Sequence, residues 1–342
     1  MHPKTICLIP GDGVGQEVIP AAAEALQALN LNLHFVLGEA GFTCFQQRGE
    51  ALPAETLTLA RQADAVLFGA TSSPSTPTPG YRSPILALRR EFDLYANLRP
   101  VFSLPGPFSR PGIDLLIVRE NTEGLYSGRE RREGDTAIAE RVITRHGSER
   151  IVRAACEQAR QRAAARGRQA TVTIVHKANV LKVSDGLFRE CALQVAAEYP
   201  DILFNELLVD AAAMKLVKSP QSFDVLVTTN LFGDILSDEA SALVGGLGVA
   251  PSANLGLGTP VFEPVHGSAP DIAGQGIANP VGAMLSAALM LETLGEPQAA
   301  ERLRQAILDT LAQGICTPDL GGNATTAHFT RQVCARLQEH AS

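Results

Sequence analysis

The 342-residue chain contains no block of basic residues. Its 29 lysines and arginines are outnumbered by 36 aspartates and glutamates, and the net charge of −7 is spread along the sequence. That weighs against nucleic acid or an anionic membrane as partner, yet leaves room for local arginine clusters that hold a small anion. No apolar run is long enough to span a bilayer, and Met1-His-Pro-Lys-Thr leads directly into a strand-like run without a signal-peptide pattern, so a cytoplasmic location is expected. The cysteines are few and far apart (Cys7, Cys44, Cys156, Cys191, Cys316 and Cys334), with no CxxC pair. They read as reduced core residues, neither staples nor zinc ligands. Internal repeats and low-complexity segments are absent. An orthodox dinucleotide fingerprint is missing too. Pro10-Gly-Asp-Gly-Val-Gly-Gln-Glu follows a short strand, Thr5–Ile9, and opens a helix running to about Leu29, but Gln16 stands where GxGxxG requires its last glycine. The acid that such a fingerprint carries about twenty positions on, at the end of a second strand, is not found. The loop therefore reads as a tight turn in which glycine supplies positive φ.

What is present is a 45% apolar chain, large enough for two domains or one large α/β domain. Strand-like runs at 33–37, 64–70, 171–176, 203–209 and 223–229 alternate with helical patterns at 53–62 and 184–198. A further strand starts at Asp114 and ends in a polar loop. Ser148 is expected to cap a long helix ending before Gly167. Thr71–Gly80, rich in Pro, Ser and Thr, is a loop, and 127–145 is a charged, nonperiodic hairpin or loop. Proline and glycine cluster at 99–112 and 245–258, plausible crossings between domains.

The chemistry centres on Asn230-Leu-Phe-Gly-Asp-Ile-Leu-Ser-Asp. It follows the apolar run Phe223–Thr229 and reads as a turn and then a helix. Asp234 and Asp238 are one turn apart on one helix face. Such acids often only decorate the start of a helix. At the carboxyl end of a strand, two carboxylates without Cys or His suit Mg²⁺ or Mn²⁺. Lys177 ends another strand and would be costly there unless paired; His176 beside it reads as structural. Asp210, read alone, is a helix cap.

The same motif, followed by Gly245-Gly-Leu-Gly, resembles the signature of the metal-dependent β-decarboxylating dehydrogenases, the family of isocitrate, 3-isopropylmalate, homoisocitrate and tartrate dehydrogenases. Further matches run from about residue 6 to about residue 326. The resemblance implies a two-domain, isopropylmalate-dehydrogenase-like α/β fold, non-Rossmann, with a discontinuous first domain. That cofactor-binding domain would comprise 1–99 plus 251–342. The second, 100–250, would carry dimerisation and metal binding, with an arm near 127–145 that exchanges with a second subunit. The assembly implied is a homodimer with shared active sites, or a tetramer. Asp210, Asp234 and Asp238 would hold the metal. Tyr126 and Lys177 would be the catalytic acid and base, with Lys177 and Asp210 acting on the other subunit's site. Arg89, Arg99 and Arg119 would clamp carboxylates of a small tricarboxylate substrate, for which the forked guanidinium suits better than lysine. Ser73, Ser83, Tyr126, Lys177 and Asn179 would complete the substrate site.

For the cofactor, the resemblance implicates Ala70, Thr71 and Ser72 after the third strand, and Asn179. It also implicates the long loop Val261–Pro280, through Glu263, His266, Gly267, Ser268, Ala269, Asp271, Ile272 and Asn279. Asp271 can accept hydrogen bonds from both ribose hydroxyls and would repel a 2′-phosphate; NADP-dependent relatives carry Lys-Tyr at this place, so NAD is expected. Asn279 is expected to cap the next helix, with Pro280 at its first position. Around Arg89 the signals divide. Ser83-Pro-Ile-Leu-Ala-Leu-Arg-Arg resembles fungal homoisocitrate dehydrogenases, and homoisocitrate, in lysine biosynthesis by the aminoadipate route, is the expected substrate. Ile85 and Leu86 also resemble the apolar pattern of isopropylmalate enzymes, and Leu86 stands where some bacterial homoisocitrate enzymes carry Arg. 3-Isopropylmalate and isocitrate stay open, as does a catalytically silent regulatory subunit, although no expected catalytic or metal position is lost.

Overall fold

A computed structural model describes residues 3–76 and 78–339. The chain begins with β1 (Lys4–Gly11), α1 (Gly15–Ala28), β2 (Leu33–Leu37), α2 (Phe42–Arg48), α3 (Ala54–Gln62), β3 (Ala65–Ala70), α4 (Pro84–Glu91), β4 (Ala96–Phe102) and β5 (Asp114–Glu120). There follow β6 (Glu130–Glu133), β7 (Thr136–Ala139), α5 (Arg145–Arg166), β8 (Thr171–His176), α6 (Ser184–Ala196), β9 (Leu203–Leu208) and α7 (Val209–Lys218). The chain then runs through β10 (Val225–Thr228), α8 (Asn230–Ala242), β11 (Pro251–Leu255), β12 (Val261–Pro264), α9 (Val281–Thr293), α10 (Pro297–Ala312) and α11 (Thr326–Glu339). No helix among the described residues is long and apolar enough to cross a membrane.

The chain divides into two compact units, one of 1–94, 104–110 and 244–342, the other of 95–103 and 111–243. Both are α/β. In the first unit the strand order is β2-β1-β3-β12-β11, parallel except for β11 against β12. In the second it is β4-β5-β10-β8-β9, with only β4 antiparallel, and β6 and β7 form a separate hairpin. The boundary drawn at residue 99 falls inside β4, which pairs with β5 from Ala96 to Phe102. The central parallel strands are apolar on both faces. Ala65–Ala70 is buried throughout, as is Val225–Thr228, the pattern that helices covering a parallel sheet require.

Gly11 and Gly13 adopt φ of 77° and 56°, as the turn reading required. A Cβ on Gly13 would lie 2.0 Å from the Ser268 carbonyl oxygen, so only glycine lets β1's turn meet that loop. One expectation fails here. Glu39 does stand just past the second strand, but its carboxylate accepts from Arg48 at 2.7 Å. The helix expected from Ser148 begins earlier. Thr144 is its N-cap and accepts from the Gly147 N–H, because Glu123 receives the N–H and hydroxyl of Thr144 and fixes the chain's entry. Ser148 instead donates to the Thr144 carbonyl. Likewise Asn230-Leu-Phe-Gly is no turn but the first turn of α8, N-capped by Thr229.

Candidate active site

In the second unit, β4, β5, the short turn Leu125–Ser127 and α8 bring five expected residues together. Asp234 and Asp238 sit one turn apart on α8. Arg99, on β4, directs Nη1 to within 3.2 Å of both carboxylates. Its guanidinium is steered by Asn97 Oδ1, 2.7 Å from Nε, and by Ser237 Oγ, 2.7 Å from Nη1. Arg119, at the end of β5, is almost wholly buried. It donates to Asn230 Oδ1 from Nε and Nη2, at 3.1 and 2.7 Å, and to Asp234 from Nη1. A Cβ on Gly233 would lie 2.7 Å from Arg119 Cβ, so glycine there lets α8 pass this close. Tyr126 donates its hydroxyl to Asp234, and Arg119 lies 5.0 Å from the centre of its ring. Burial, and then the bond to Asp234, push the Tyr126 phenol above its ordinary range. Burial also raises the Asp238 carboxyl; Arg99 pulls it down and neighbouring Asp234 pushes it up. Asn230, Asn97 and Ser237 were not singled out in the sequence, although Asn230 opens the very motif that carries the aspartates.

Lys177 follows β8 and donates from Nζ to Asp210 Oδ1 at 2.6 Å. That bond holds the Asp210 carboxyl below the ordinary carboxylate range. Asp210 lies inside the first turn of α7, whose N-cap is Leu208, so it is not the helix cap that its place after a strand suggested. Asn179 is exposed two residues beyond Lys177. His176 is buried, its Nδ1 accepting the Ala178 N–H at 3.1 Å. Asp210 does not join Asp234 and Asp238. Among the described residues no three His, Cys, Asp or Glu side chains gather into a metal site within the one chain.

In the first unit three of the expected cofactor residues, Ala70, Ser72 and Ser268, gather around Asp12. Its buried carboxylate accepts the backbone N–H of Phe42, Thr43 and Ser72 at 2.7, 2.9 and 2.9 Å. The Asp12 N–H in turn donates to the Ala70 carbonyl, and Ser72 Oγ bonds Ser268 Oγ at 2.8 Å. Thr71 and Ser73 flank Ser72 in the loop beyond β3. Asn279 sits ahead of α9: its Oδ1 accepts the Val281 N–H at 3.0 Å, and its Nδ2 donates to Asp319 at 2.9 Å. The N-cap position itself falls on Pro280, one residue later than expected. Gly267 has open space around it, Ala269 takes φ 40° at a turn, Asp271 is exposed and Ile272 is half-buried. Glu263 is already engaged, accepting from Arg89 Nη2 and Asn254 Nδ2, both at 2.9 Å. Arg89 is buried with Nε left without a hydrogen-bond partner. Ile85 packs against the core made by Phe68, Leu88, Phe92 and Val261. Its apolar character thus serves the core.

The donor sets suit the expected ligands. Asp234 and Asp238 offer hard oxygens, and Mg²⁺ commonly binds through one or two carboxylates and takes its other ligands from water and substrate. For a nicotinamide cofactor, His266 Nε2 is a buried polar atom without a partner, next to the open Gly267.

The family model for isocitrate/isopropylmalate dehydrogenases matches residues 5–333. The isocitrate/homoisocitrate dehydrogenase of Thermus thermophilus is 55% identical over 333 residues, covering 97% of this chain and 98% of that protein. The 3-isopropylmalate dehydrogenase of Methanothermobacter thermautotrophicus is 49% identical, over 99% of this chain and 100% of that protein. The crystal structure of isocitrate dehydrogenase from Methylococcus capsulatus superposes with a TM-score of 0.93 at 44% identity, over 98% of this chain and 99% of that one. Fold and relatives together define an oxidoreductase, a β-decarboxylating dehydrogenase. The chain belongs to the isocitrate/isopropylmalate dehydrogenase family, whose members generally depend on NAD(P) and a divalent metal.

Proposed function

We propose that the chain oxidises and decarboxylates homoisocitrate to 2-oxoadipate and CO₂ with NAD⁺, in lysine biosynthesis by the aminoadipate route. The observation that carries the chemistry is the convergence of Arg99, Arg119 and Tyr126 on Asp234 and Asp238. When bound, a divalent cation on Asp234 and Asp238, joined by Asp210 of a second copy, supplies Lewis acidity at the C2 oxygen, and NAD⁺ supplies the hydride acceptor.

The chain's own residues do the rest. Arg89, Arg99 and Arg119 match three positive charges to the three carboxylates of the substrate. Arg89 meets it with the edge that Glu263 leaves open. Lys177, as the neutral amine, accepts the proton of the C2 hydroxyl, and its bond to Asp210 orients that nitrogen. After CO₂ departs, Tyr126 donates its phenolic proton to the enolate carbon that had carried the departed carboxylate. The Tyr126 hydroxyl donates to Asp234, so the phenol carries the proton that this step uses. Asp271 selects NAD⁺ by accepting from the ribose hydroxyls.

Homoisocitrate is favoured by Ser83-Pro-Ile-Leu-Ala-Leu-Arg-Arg, and the name of the Thermus relative pairs it with isocitrate. A second reading, 3-isopropylmalate, is favoured by the apolar Leu86 and by the Methanothermobacter relative. The test is NADH formation with Mg²⁺, comparing kcat/KM for homoisocitrate, isocitrate and 3-isopropylmalate. The expected result is a preference for homoisocitrate of about 100-fold or more over 3-isopropylmalate. The reverse order would assign the enzyme to leucine synthesis, and no turnover of any of the three would revive the regulatory subunit.

A further inference from the structure

The segment that carries Lys177 is held from behind by a buried ion pair that the chemistry above leaves unused. Asp185, in the first turn of α6, is fully buried. Its Oδ2 accepts the backbone N–H of Lys177 at 2.6 Å, and its Oδ1 lies 2.8 Å from Nη2 of Arg141. Arg141 follows the β6–β7 hairpin and is largely buried too, with 14% of its side chain exposed. The same Nη2 donates to Thr229 Oγ1 at 2.7 Å, and the guanidinium lies 4.5 Å from the centre of the Phe232 ring. Thr229 is the N-cap residue of α8, and Phe232 lies in its first turn. One guanidinium therefore touches both the carboxylate that holds the N–H of the proposed base and the start of the helix that bears Asp234 and Asp238.

A buried carboxylate is costly without a cation, so a pair in this place needs a reason beyond filling space. The reason on view is placement. The Lys177 carbonyl receives the N–H groups of Val180 and Leu181, so residues 177–181 form a compact turn. Asp185 accepts the N–H of Lys177, and the Leu181 carbonyl accepts the N–H groups of Asp185 and Gly186, so both ends of this turn are tied to α6. We propose that Arg141 and Asp185 are positioning residues that fix the backbone of Lys177 relative to the N-terminus of α8. This rests on the reading of Lys177 as the base.

The test uses the full-length enzyme with Mg²⁺, NAD⁺ and the best of the three acids. D185N keeps an oxygen for the Lys177 N–H but turns an amide N–H toward Arg141. R141M keeps the stem over Phe232 and removes the charge. Each is expected to lower kcat by about 10- to 100-fold with KM for NAD⁺ within about twofold, since misplacing a base costs turnover before binding. Deuterium exchange should accelerate at the Lys177 amide. R141M/D185N should be no slower than the slower single variant, because the two act as a unit. R141K, a single-point donor, should recover part of the loss. Should R141M fail to fold by circular dichroism, D185N and R141K decide the matter. K177M separates the two readings: if it is inactive while folded D185N keeps kcat within about twofold, the positioning pair is refuted and the base stands. If K177M turns over normally, the base and the pair fall together.

Discussion

Lys177 donates to Asp210 at 2.6 Å, and this couple stands apart from the two carboxylates on α8. If both serve the site of a second copy, two inactive variants should repair each other. K177M and D234N are each expected to be nearly inactive. Mixed, unfolded and refolded together, they should recover about a quarter of wild-type activity, since half of randomly formed dimers are hybrid and each hybrid has one intact site. Steady-state assay of the mixture checks this, and activity no greater than that of the separate variants would place each site within a single chain.

Asp271 is exposed at the start of the segment leading to Asn279. The substitution pair D271K/I272Y removes a carboxylate that would face a 2′-phosphate and supplies a cation in its place. The ratio of kcat/KM for NADP⁺ to that for NAD⁺ should rise by at least about 100-fold. An unchanged ratio would show that this position does not read the ribose.

Asp12 satisfies three backbone N–H groups from two separate segments. D12A would leave these donors without their acceptor and should destabilise the protein by about 2–4 kcal/mol. Denaturant titration gives the value. D12N keeps one good acceptor and should cost less.

His176 is buried, and that burial holds its imidazole below the ordinary value of 6.5, against the opposing pull of Glu206 and Asp185. A folded pKa below the unfolded one means that the unfolded chain binds the proton more readily. This contribution to stability is therefore present above about pH 6.5 and is lost as pH falls through the folded value. Tm should decline from about pH 6.5 downward, and more shallowly in H176N, whose side-chain oxygen can still accept from Ala178. Thermal scans of both proteins across that range check it; parallel curves would show that another group sets the slope.

Much of the fold was open to reading because its signals are local. β3 and β10 announce themselves as short apolar runs, the turn after β1 needs glycines at positive φ, and Asp234 and Asp238 share a helix face whatever the rest of the chain does. α2 escaped notice because its seven residues give periodicity too little length. Ser148 was misjudged as a cap because Thr144 competes for that role and wins through Glu123, 21 residues away. Asn230 was misjudged as part of a turn because an Asn-Leu-Phe-Gly string carries no sign that Arg119 waits beside it.

The sequence by itself determined the alternation of strands and helices and the motif that names the family, since both are written in spacings of a few residues. Tertiary structure alone decided which polar groups meet. Arg89 is matched to Glu263 across 174 positions, Ser72 to Ser268 across 196, and Asp210 is given to Lys177 and not to its fellow aspartates. Such pairs depend on where packed elements bring the chain back together. For Arg89 and Glu263, burial then makes an unmatched charge too costly to leave alone.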